Sequence, residues 1–419
     1  MKNKIKDNIG NPEQLEQLYR ADKKGFEKAF LEIYPQISDY TISDFWKTRL
    51  EFKSEKEEAV RIKRKDILLL IVACLVTGLL IKIPQLFDID LVKSFFYEKN
   101  TGLITLFGLS LYAFLTKDAL KIKHVLISAA VFIVSAIYIN ILPSTETSDS
   151  VVLAFIHLPL MIWCLYGLIF IDFDSREKIK RMDYIKYNGD LAVLLALIAI
   201  AGGILTALTI GLFSAIEINI EDFYFEHIVI WGLVSAPIVA TYIVRKFPFV
   251  VNNIAPIIAN IFSPLVLITL IIYLVSIPIS GKDPYNDRDF LIVFNLMLLG
   301  VMAIIVFSVS EISIKRKQRF TERILLALTI VTLIIDLVAL SAIVYRLGEF
   351  GFTPNRTVVL GSNLLIFGNL ILILIDLYRV NFKNKKLNHV ELTIARYLPV
   401  YAVWTIFVVF GLPLLYGLK

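Results

Sequence analysis

About eleven long apolar segments, separated by short polar loops, occupy the chain from Ile67 to Tyr416. The 419 residues are 57% hydrophobic and 19% charged, which is too apolar for a soluble domain of this length. A hydrocarbon core of about 30 Å is spanned by roughly 20 helical residues, and a helix satisfies its backbone groups within one segment. The sequence therefore predicts an all-α, polytopic helical membrane protein with about 11 transmembrane helices. The predicted helices centre on Ala73, Leu109, Ile133, Trp163, Ile198, Leu233, Leu267, Gly300, Leu333, Phe367 and Ile406.

Lysine and arginine residues concentrate in alternate loops between these segments. Basic residues close to helix ends resist translocation, so we expect the basic loops to face the cytoplasm. This pattern predicts a protein of the bacterial inner membrane, with a cytoplasmic N-terminus and a C-terminus outside. The same bias accounts for the net charge of +6 and favours membrane lipids, and not nucleic acid, as partners. The basic loops are residues 117–123, 172–189, 245–256, 313–323 and 379–391.

No recognisable catalytic or metal-binding motif occurs in the sequence. Its two cysteines, Cys74 and Cys164, lie within predicted membrane helices, which argues against a disulfide or a thiolate metal site. The four histidines are scattered along the chain. We therefore expect no cofactor and no enzyme. The exception to consider is a membrane enzyme that uses carboxylates at the outer face, such as Glu221, Asp222 and Asp287.

A cytoplasmic helical module is predicted at residues 1–65, ahead of a transmembrane domain at residues 66–419. Asn11 followed by Pro12 predicts an N-cap with proline in the first helical turn. A later helix of this module is expected to end before Pro35, because proline lacks the backbone N–H and crowds the preceding turn. Three roles stay open: a small bundle packed on the cytoplasmic loops, a docking site for a partner protein, or an interfacial membrane helix over Phe45 to Leu50.

One part of the chain resembles a known family. The stretch YRLGEFGFTPNR at residues 345–356, with VLGSNLL at 359–365, resembles the most recognisable part of a bacterial polytopic membrane family, domain-of-unknown-function family 4153. Residues 263–273 and the outer loop 281–289 are similar to that family's preceding helix and loop, although Asp283 stands where the family often has tryptophan. The resemblance implies a polytopic helical fold, and no chemistry, because the family has no assigned activity.

The same stretch predicts a tight outer turn between the ninth and tenth helices. Gly351 permits backbone angles closed to other residues, and Thr353 is suited to cap the next helix. Arg346 and Arg356 flank this turn and form a candidate outer-turn site. Their guanidinium groups are expected to meet lipid phosphate, the Glu349 carboxylate or an anionic solute.

Among residues inside the predicted membrane helices, Asp336 is the one whose transfer into the bilayer costs the most free energy. A carboxylate at the bilayer centre costs about 3 kcal/mol or more unless it is paired or protonated, so Asp336 is expected to face protein or water. Thr329 and Thr332 precede it by seven and four residues and share its helix face. These residues predict a polar patch at the centre of the ninth helix.

The tenth helix carries a polar stripe. Asn355, Ser362, Asn369 and Asp376 recur every seven residues and so line one face across the bilayer. In the functional interpretation, Asp336 together with Asn363 or Asn369 lines a cavity for a proton, a cation or a polar solute.

The alternative for this pair of helices is a static interface in which the polar side chains satisfy one another. The candidate intramembrane site is thus Asp336, Thr332, Asn363, Asn369 and Asp376. The two hypotheses for function are handling of a small solute or ion at this site, and a non-catalytic accessory or scaffold protein that recruits a partner through its N-terminal helices.

Overall fold

The computed structural model describes residues 1–60, 64–117, 119–145, 147–214, 219–247, 263–272, 274–275, 285, 288–312 and 319–418. These residues are helical or lie in turns and connecting segments, and none of them is in a β-strand. The chain divides into two compact units, Met1–Arg64 and Lys65–Lys419. The predictions for Asp283 and Asp287 lie outside the described residues.

Four helices build the first unit: α1 (Lys2–Asp7), α2 (Pro12–Ala21), α3 (Lys23–Ile37) and α4 (Thr41–Val60). The predicted N-cap of α2 is confirmed, since the Asn11 side chain accepts a hydrogen bond from the backbone N–H of Gln14 at 3.2 Å. The predicted stop before Pro35 is wrong, because α3 continues to Ile37. Pro35 lies in the last turn of α3, where the single lost backbone bond costs little.

An aromatic core holds these four helices together. The Trp46 ring of α4 is 2% exposed and lies between Tyr19 of α2 and Phe26 of α3, with ring centroids at 5.3 and 5.0 Å. Leu15 and Phe30 are fully buried beside it. By contrast, the neighbouring residue Phe45 is 61% exposed.

The remaining helices form the second unit and its junction with the first. They are α5 (Arg64–Ile81), α6 (Ile83–Leu86), α7 (Leu91–Ser94), α8 (Phe96–Leu115), α9 (Ile122–Ile141), α10 (Asp149–Phe170), α11 (Lys178–Ser214), α12 (Glu221–Lys246), α13 (Ser263–Ile272), α14 (Arg288–Ile312), α15 (Arg319–Phe350), α16 (Pro354–Phe382) and α17 (Asn388–Tyr416).

Among the described residues, seven helices are long and apolar enough to cross a membrane: α9, α10, α11 over Lys178–Ala207, α12, α15, α16 and α17. The chain therefore has the all-helical character and the apolar spans of an integral membrane protein. The centres of all eleven predicted segments lie in helices. For the four segments centred on Ala73, Leu109, Leu267 and Gly300, a crossing of the membrane stays a prediction, and so does the total of eleven spans.

Two apolar cores organise the second unit. The first joins α5 and α8–α12 around residues such as Leu158 and Ile162, and the second joins α14–α17 around residues such as Phe294 and Leu370. Helix α11 contributes to both, since Tyr187 packs in the first core and Met182 in the second. The pair α15 and α16 is closely packed within the second core, and this pairing positions the candidate intramembrane site.

A proline explains a local irregularity in α17. Residues Phe407–Gly411 form a π-helical turn just ahead of Pro413. Because Pro413 has no N–H, the carbonyl of Val409 lacks its usual helical donor. The hydroxyl of Tyr138, from α9, donates to that carbonyl at 2.8 Å.

We expect Tyr138→Phe to lower the free energy of unfolding by about 1–3 kcal/mol, because the Val409 carbonyl then loses the hydrogen bond from the Tyr138 hydroxyl. The measurement is the thermal unfolding midpoint of the full chain in mild detergent. Tyr378→Phe is the matched control, since that ring is 50% exposed. Equal midpoints for the two variants would show that the Tyr138 hydroxyl does not stabilise the π-helical turn.

Candidate functional site

Asp336 lies in the middle of α15 and is fully buried. Neither of its carboxylate oxygens has a hydrogen-bond partner among the described residues. The neighbouring hydroxyls do not supply one: Thr329 donates to the Leu325 carbonyl at 2.8 Å, and Thr332 donates to the Leu328 carbonyl at 2.6 Å. These are bonds to the preceding turn of the same helix, so the hydroxyls leave the carboxyl group of Asp336 without a donor.

The polar stripe of α16 packs against α17. Three side-chain pairs connect the two helices: Trp404 Nε1 donates to Ser362 Oγ at 3.0 Å, Asn369 Nδ2 donates to Tyr401 Oη at 3.0 Å, and Thr393 Oγ1 donates to Asp376 Oδ2 at 2.6 Å. Three of its four members are thus engaged in a helix–helix interface. For this stripe the contacts match the static interpretation.

Asp376 is the most firmly held member of that interface. Besides the Thr393 hydroxyl, it accepts a hydrogen bond from Arg379 Nη1 at 3.0 Å through its other oxygen. Both oxygens therefore have donors, one from its own helix and one from α17. Asp336 and Asp376 are both buried carboxyl groups, and they differ in that only Asp376 is paired.

Asn369, on the neighbouring helix α16, carries a second buried acceptor without a donor among the described residues. Its amide nitrogen is used by Tyr401, while its Oδ1 atom is buried and has no partner among the described residues. The Tyr401 hydroxyl is within electrostatic reach of Asp336. Asp336, Asn369 and Tyr401 come from three adjacent helices, and we name this group the Asp336 centre.

Asn363 lies outside the Asp336 centre. Its Nδ2 atom donates to Asn295 Oδ1 of α14 at 2.7 Å. This amide pair connects α14 with α16 in the manner typical of membrane bundles. Of the predicted intramembrane residues, Asp336 and Asn369 thus retain buried oxygens without donors, whereas Thr332, Asn363 and Asp376 are bonded to protein groups.

At the outer-turn site the two arginines differ in their contacts. Arg356 Nη1 donates to the carbonyls of Phe350 and Gly351, each at 2.8 Å, and so caps the C-terminal end of α15. Gly351 has a φ of +71°, as the predicted tight turn requires. The guanidinium group of Arg346 lies 5.9 Å from the Phe350 ring, and its Nη1 atom is buried. No ion pair joins either arginine to Glu349 in the described part of the chain.

A second polar site, which the sequence analysis did not predict, is a cavity of about 360 Å³ at the ends of four helices. It lies where α8, α10 and α12 end and where α11 begins, and we name it the tyrosine cavity. Its polar and aromatic lining consists of Lys117, Tyr166, Phe170, Asp183, Lys186, Tyr187, Asp190, Thr241 and Arg245. Lys186, Tyr187 and Asp190 lie three, four and seven residues after Asp183 along α11, a helical pattern that marks one face.

A chain of hydroxyl groups with a fixed direction runs beside this cavity. Thr241 Oγ1 donates to the Pro237 carbonyl at 2.7 Å, so its oxygen accepts the hydrogen bond from Tyr187, at 2.6 Å. Because the Tyr187 proton is used in this way, Tyr187 accepts from Tyr166, at 2.9 Å. The Tyr166 oxygen ends the chain, because its own proton is donated to Tyr187.

Asp172, just beyond α10, holds the neighbouring helix ends together. Its carboxylate pairs with Lys121 at 2.5 Å and with Lys117 at 2.9 Å. The hydrogen bond from Lys121, followed by that from Lys117, holds the pKa of Asp172 well below its ordinary value. Lys117 also donates to the Ile169 carbonyl at 2.9 Å, which ties α8 to the end of α10.

This arrangement predicts a defined pH dependence. A carboxyl group whose pKa is lower in the folded chain stabilises the fold fully above its ordinary pKa of about 4, and this stabilisation is lost as the pH falls below that value. We therefore expect Asp172→Asn to lower the thermal unfolding midpoint at neutral pH, with a difference from the parent chain that shrinks below about pH 4. The exposed Asp222→Asn is the control. A difference that does not change with pH would contradict the ion-pair account.

In the described part of the chain, no group of three or more His, Cys, Asp or Glu side chains is placed to hold a metal ion. No protein-family model matches the sequence. No curated protein is significantly similar to it. No solved structure matches the fold at a significant level. The resemblance of residues 345–365 to a membrane family of unknown function therefore stays a prediction.

Proposed function

We propose that this chain is an inner-membrane protein that handles a proton or a small cation at the Asp336 centre, in a transport or channel-like role. One observation carries the proposal: Asp336 is fully buried in a membrane-spanning helix, and neither carboxylate oxygen has a protein partner among the described residues. Polar groups that serve only as helix contacts are normally bonded to each other, as Asp376 and Thr393 are.

The composition of the centre supports a small positive occupant. An unpaired carboxylate anion is far more costly in apolar surroundings than the neutral acid, so Asp336 needs a proton or a cation. The unpartnered Oδ1 of Asn369 is a further buried oxygen acceptor on the adjacent helix α16, and oxygen ligands suit either an O–H donor or a hard cation. Uptake and release of that positive charge is the step that would couple Asp336 to movement of a solute.

Apart from Asn369, the polar stripe of α16 is not needed for this role. Its side chains bond to Trp404, Tyr401 and Thr393, so the proposed handling is confined to the Asp336 centre and does not run along the whole stripe. The sequence analysis allowed a path for a solute or ion along the polar residues across the bilayer. The contacts limit the proposed site to the Asp336 centre.

We place the basic loops and the N-terminus in the cytoplasm. The ends of α8, α10 and α12 and the start of α11 line one cavity, so these four ends share one side of the membrane. They adjoin the basic loops at 117–123, 172–189 and 245–256, which supports the predicted alternation. The C-terminus then lies outside.

The test is modification by dicyclohexylcarbodiimide, an apolar reagent that reacts with protonated carboxyl groups. We expect Asp336 to be the modified residue in peptide mass spectrometry of the full chain, and we expect modification to slow as the pH rises. Asp336→Asn should remove the modified peptide, while Asp376→Asn should keep it, because Asp376 is held by Arg379 and Thr393.

Adding sodium or potassium ions distinguishes a proton from a metal cation as the group bound at Asp336. Protection of Asp336 by one of these ions would identify a cation site, whereas no protection by either, at unchanged pH dependence, would identify a proton site. In proteoliposomes, the parent chain should carry a proton or sodium flux that Asp336→Asn abolishes at equal protein content. No modification of Asp336 at any pH from about 5 to 9, together with equal fluxes for both chains, would refute the proposal.

A second function, recruitment of a partner protein, is favoured by one feature of the first unit. Phe45 is 61% exposed and lines a surface groove with Pro12 and Ile42, whereas Trp46 beside it is buried. A partner bound there should co-purify in stoichiometric amount with the intact chain in mild detergent, and Phe45→Ser should remove it. The same set of proteins in both samples would exclude this surface as the docking site.

A further inference from the structure

We propose that the outer-turn site, formed by Arg346 and Arg356, binds a phosphodiester group that carries no ammonium group, as in the headgroup of phosphatidylglycerol. This site is separate from the Asp336 centre, because Arg346 lies near the end of α15 and Arg356 in the first turn of α16, whereas Asp336 lies in the middle of α15. Binding here therefore does not depend on the handling of a proton or a cation at Asp336.

The turn that carries this site lies at one surface of the membrane. Helices α15 and α16 are both long and apolar enough to cross a membrane, and only residues 351–353 separate them. Three aromatic side chains around the turn are exposed: Tyr345, Phe350 and Phe352. Exposed aromatic rings at the end of a spanning helix are typical of the interface between acyl chains and lipid headgroups. The phosphate groups of the lipids lie at this depth.

Two guanidinium groups meet at one aromatic ring of this turn. The Cζ atoms of Arg346 and Arg356 lie 5.9 and 5.3 Å from the centroid of the Phe350 ring. In the described part of the chain neither arginine forms an ion pair, and the exposed Glu349 carboxylate is paired with neither of them. Like charges held at one ring repel each other, so an anionic ligand at the site is stabilised by both.

Arg356 is held in an orientation that suits a phosphate. Its Nη1 atom donates to the carbonyls of Phe350 and Gly351, each at 2.8 Å. This leaves the Nε–H and Nη2–H groups, which form another edge of the guanidinium plane, without an acceptor among the described residues. Two parallel N–H groups on one edge match two oxygens of a phosphate. Because the two bonded carbonyls are uncharged, the positive charge of Arg356 has no counter-ion.

Arg346 supplies the second positive charge. The side chain is half-buried, and its Nη1 atom is buried with no hydrogen-bond partner among the described residues. A guanidinium N–H that has lost water without gaining an acceptor costs free energy, and charged groups cost the most. An anion bound at the same guanidinium group compensates its charge and so offsets part of this cost. Of the two arginines, Arg356 is thus fixed by backbone carbonyls, while Arg346 makes no hydrogen bond to the described protein.

The charge of the site favours a headgroup without an ammonium group. Phosphatidylglycerol presents one phosphodiester anion and neutral hydroxyl groups, whereas phosphatidylethanolamine adds an ammonium group that two unpaired arginines repel. The same phosphodiester occurs in soluble form in glycerophosphoglycerol. The exposed rings of Phe350 and Phe352 provide apolar surface for acyl chains, which only the lipid has. Because the two sources share their phosphate chemistry, the experiment has one arm for each.

The test measures the rise in the thermal unfolding midpoint of the full chain in mild detergent as a ligand is added, because a ligand that binds only the folded chain stabilises it. The first arm titrates short-chain phosphatidylglycerol, with phosphatidylethanolamine and phosphatidylcholine of the same chain length as comparison ligands. The second arm titrates glycerophosphoglycerol. Each variant is measured with and without ligand, so any loss of stability caused by the substitution itself cancels.

Two variants and one control accompany both arms. Arg346→Gln removes one charge and breaks no hydrogen bond within the described residues. Arg356→Lys keeps the charge but removes the planar pair of N–H donors. We expect each variant to weaken the binding of phosphatidylglycerol by roughly tenfold or more. Arg319→Gln is the matched control, because Arg319 is an exposed arginine at the other end of α15, and this variant should bind as the parent chain does.

Saturable stabilisation by phosphatidylglycerol alone, weakened in Arg346→Gln and Arg356→Lys but not in Arg319→Gln, supports the lipid as the source of the phosphodiester. An equal response to glycerophosphoglycerol, weakened in the same two variants, supports a soluble source. Equal stabilisation by all three lipids, no saturable response in either arm, unchanged binding in both site variants, or an equal loss in Arg319→Gln would overturn the proposal.

Discussion

Gly361→Leu is expected to lower the free energy of unfolding by about 2–4 kcal/mol. A Cβ atom at Gly361 would lie 2.0 Å from Cη2 of the Trp404 ring, which is closer than atoms can approach. The ring cannot fold away as a flexible chain would, so α16 and α17 must separate or the ring must leave its site. Overpacking of this kind costs about 1–3 kcal/mol, and the loss of the hydrogen bond from Trp404 to Ser362 adds roughly 1 kcal/mol.

Gly300→Leu is the matched control for this prediction. Gly300 also lies within a helix, α14, but a Cβ atom there meets nothing within 4 Å. Leucine favours the helix more than glycine does, so this variant should be as stable as the parent chain or slightly more stable. The measurement is the thermal unfolding midpoint of both variants in the same detergent. If both variants lower the unfolding midpoint equally, replacing any glycine inside a helix has this effect, and the contact with Trp404 does not explain it.

The sequence analysis found the polar stripe but not its partners. Spacing by seven residues was enough to place Ser362, Asn369 and Asp376 on one face of a long helix, which the extent of α16 confirms. The identity of the opposing groups on α17 depends on how two helices are aligned, and no local pattern contains that information. The choice between a static interface and a solute path therefore required the contacts themselves.

The expectation for Asp336 was correct in part. Its burial follows from the cost of a charge in lipid and could be predicted from its position alone. The predicted polar patch with Thr329 and Thr332 does not form as a set of mutual contacts, because both hydroxyls bond to carbonyls of the preceding turn. Threonine in a helix has this option at no cost to the backbone, so a shared helix face is weak evidence for a hydrogen bond.

The tyrosine cavity escaped the sequence analysis for a different reason. Its lining comes from four helices whose residues are far apart in sequence, from Lys117 to Arg245. The face of α11 that carries Asp183 and Tyr187 lies in residues 172–189, a segment that the charge pattern identifies only as a basic loop, and Asp190 follows that segment directly. Basic loops that orient a membrane protein can also build a site, and charge counting does not separate the two.

Asp336→Ala and Asp376→Ala are expected to differ in their effect on the free energy of unfolding, because only Asp376 is bonded to other side chains. Asp336 is buried without a partner, so its removal eliminates an uncompensated polar group and should leave the chain equally stable or more stable. Alanine is also the better helix former at this central position of α15. Asp376→Ala removes the acceptor of both Thr393 and Arg379 and should lower the free energy of unfolding by about 1–3 kcal/mol.

The comparison decides between a structural and a functional role for the Asp336 centre. A residue that stabilises a helix interface lowers the unfolding midpoint when it is removed, as we expect for Asp376. A residue whose role is to bind a proton or a cation instead lowers the free energy of unfolding while it is present. Its removal abolishes flux and leaves the chain folded. Thermal unfolding of both alanine variants beside the parent chain, at equal detergent and pH, measures this difference directly. If Asp336→Ala lowers the midpoint as much as Asp376→Ala does, the Asp336 centre is part of the static bundle, because only a partnered group can lose that much stability.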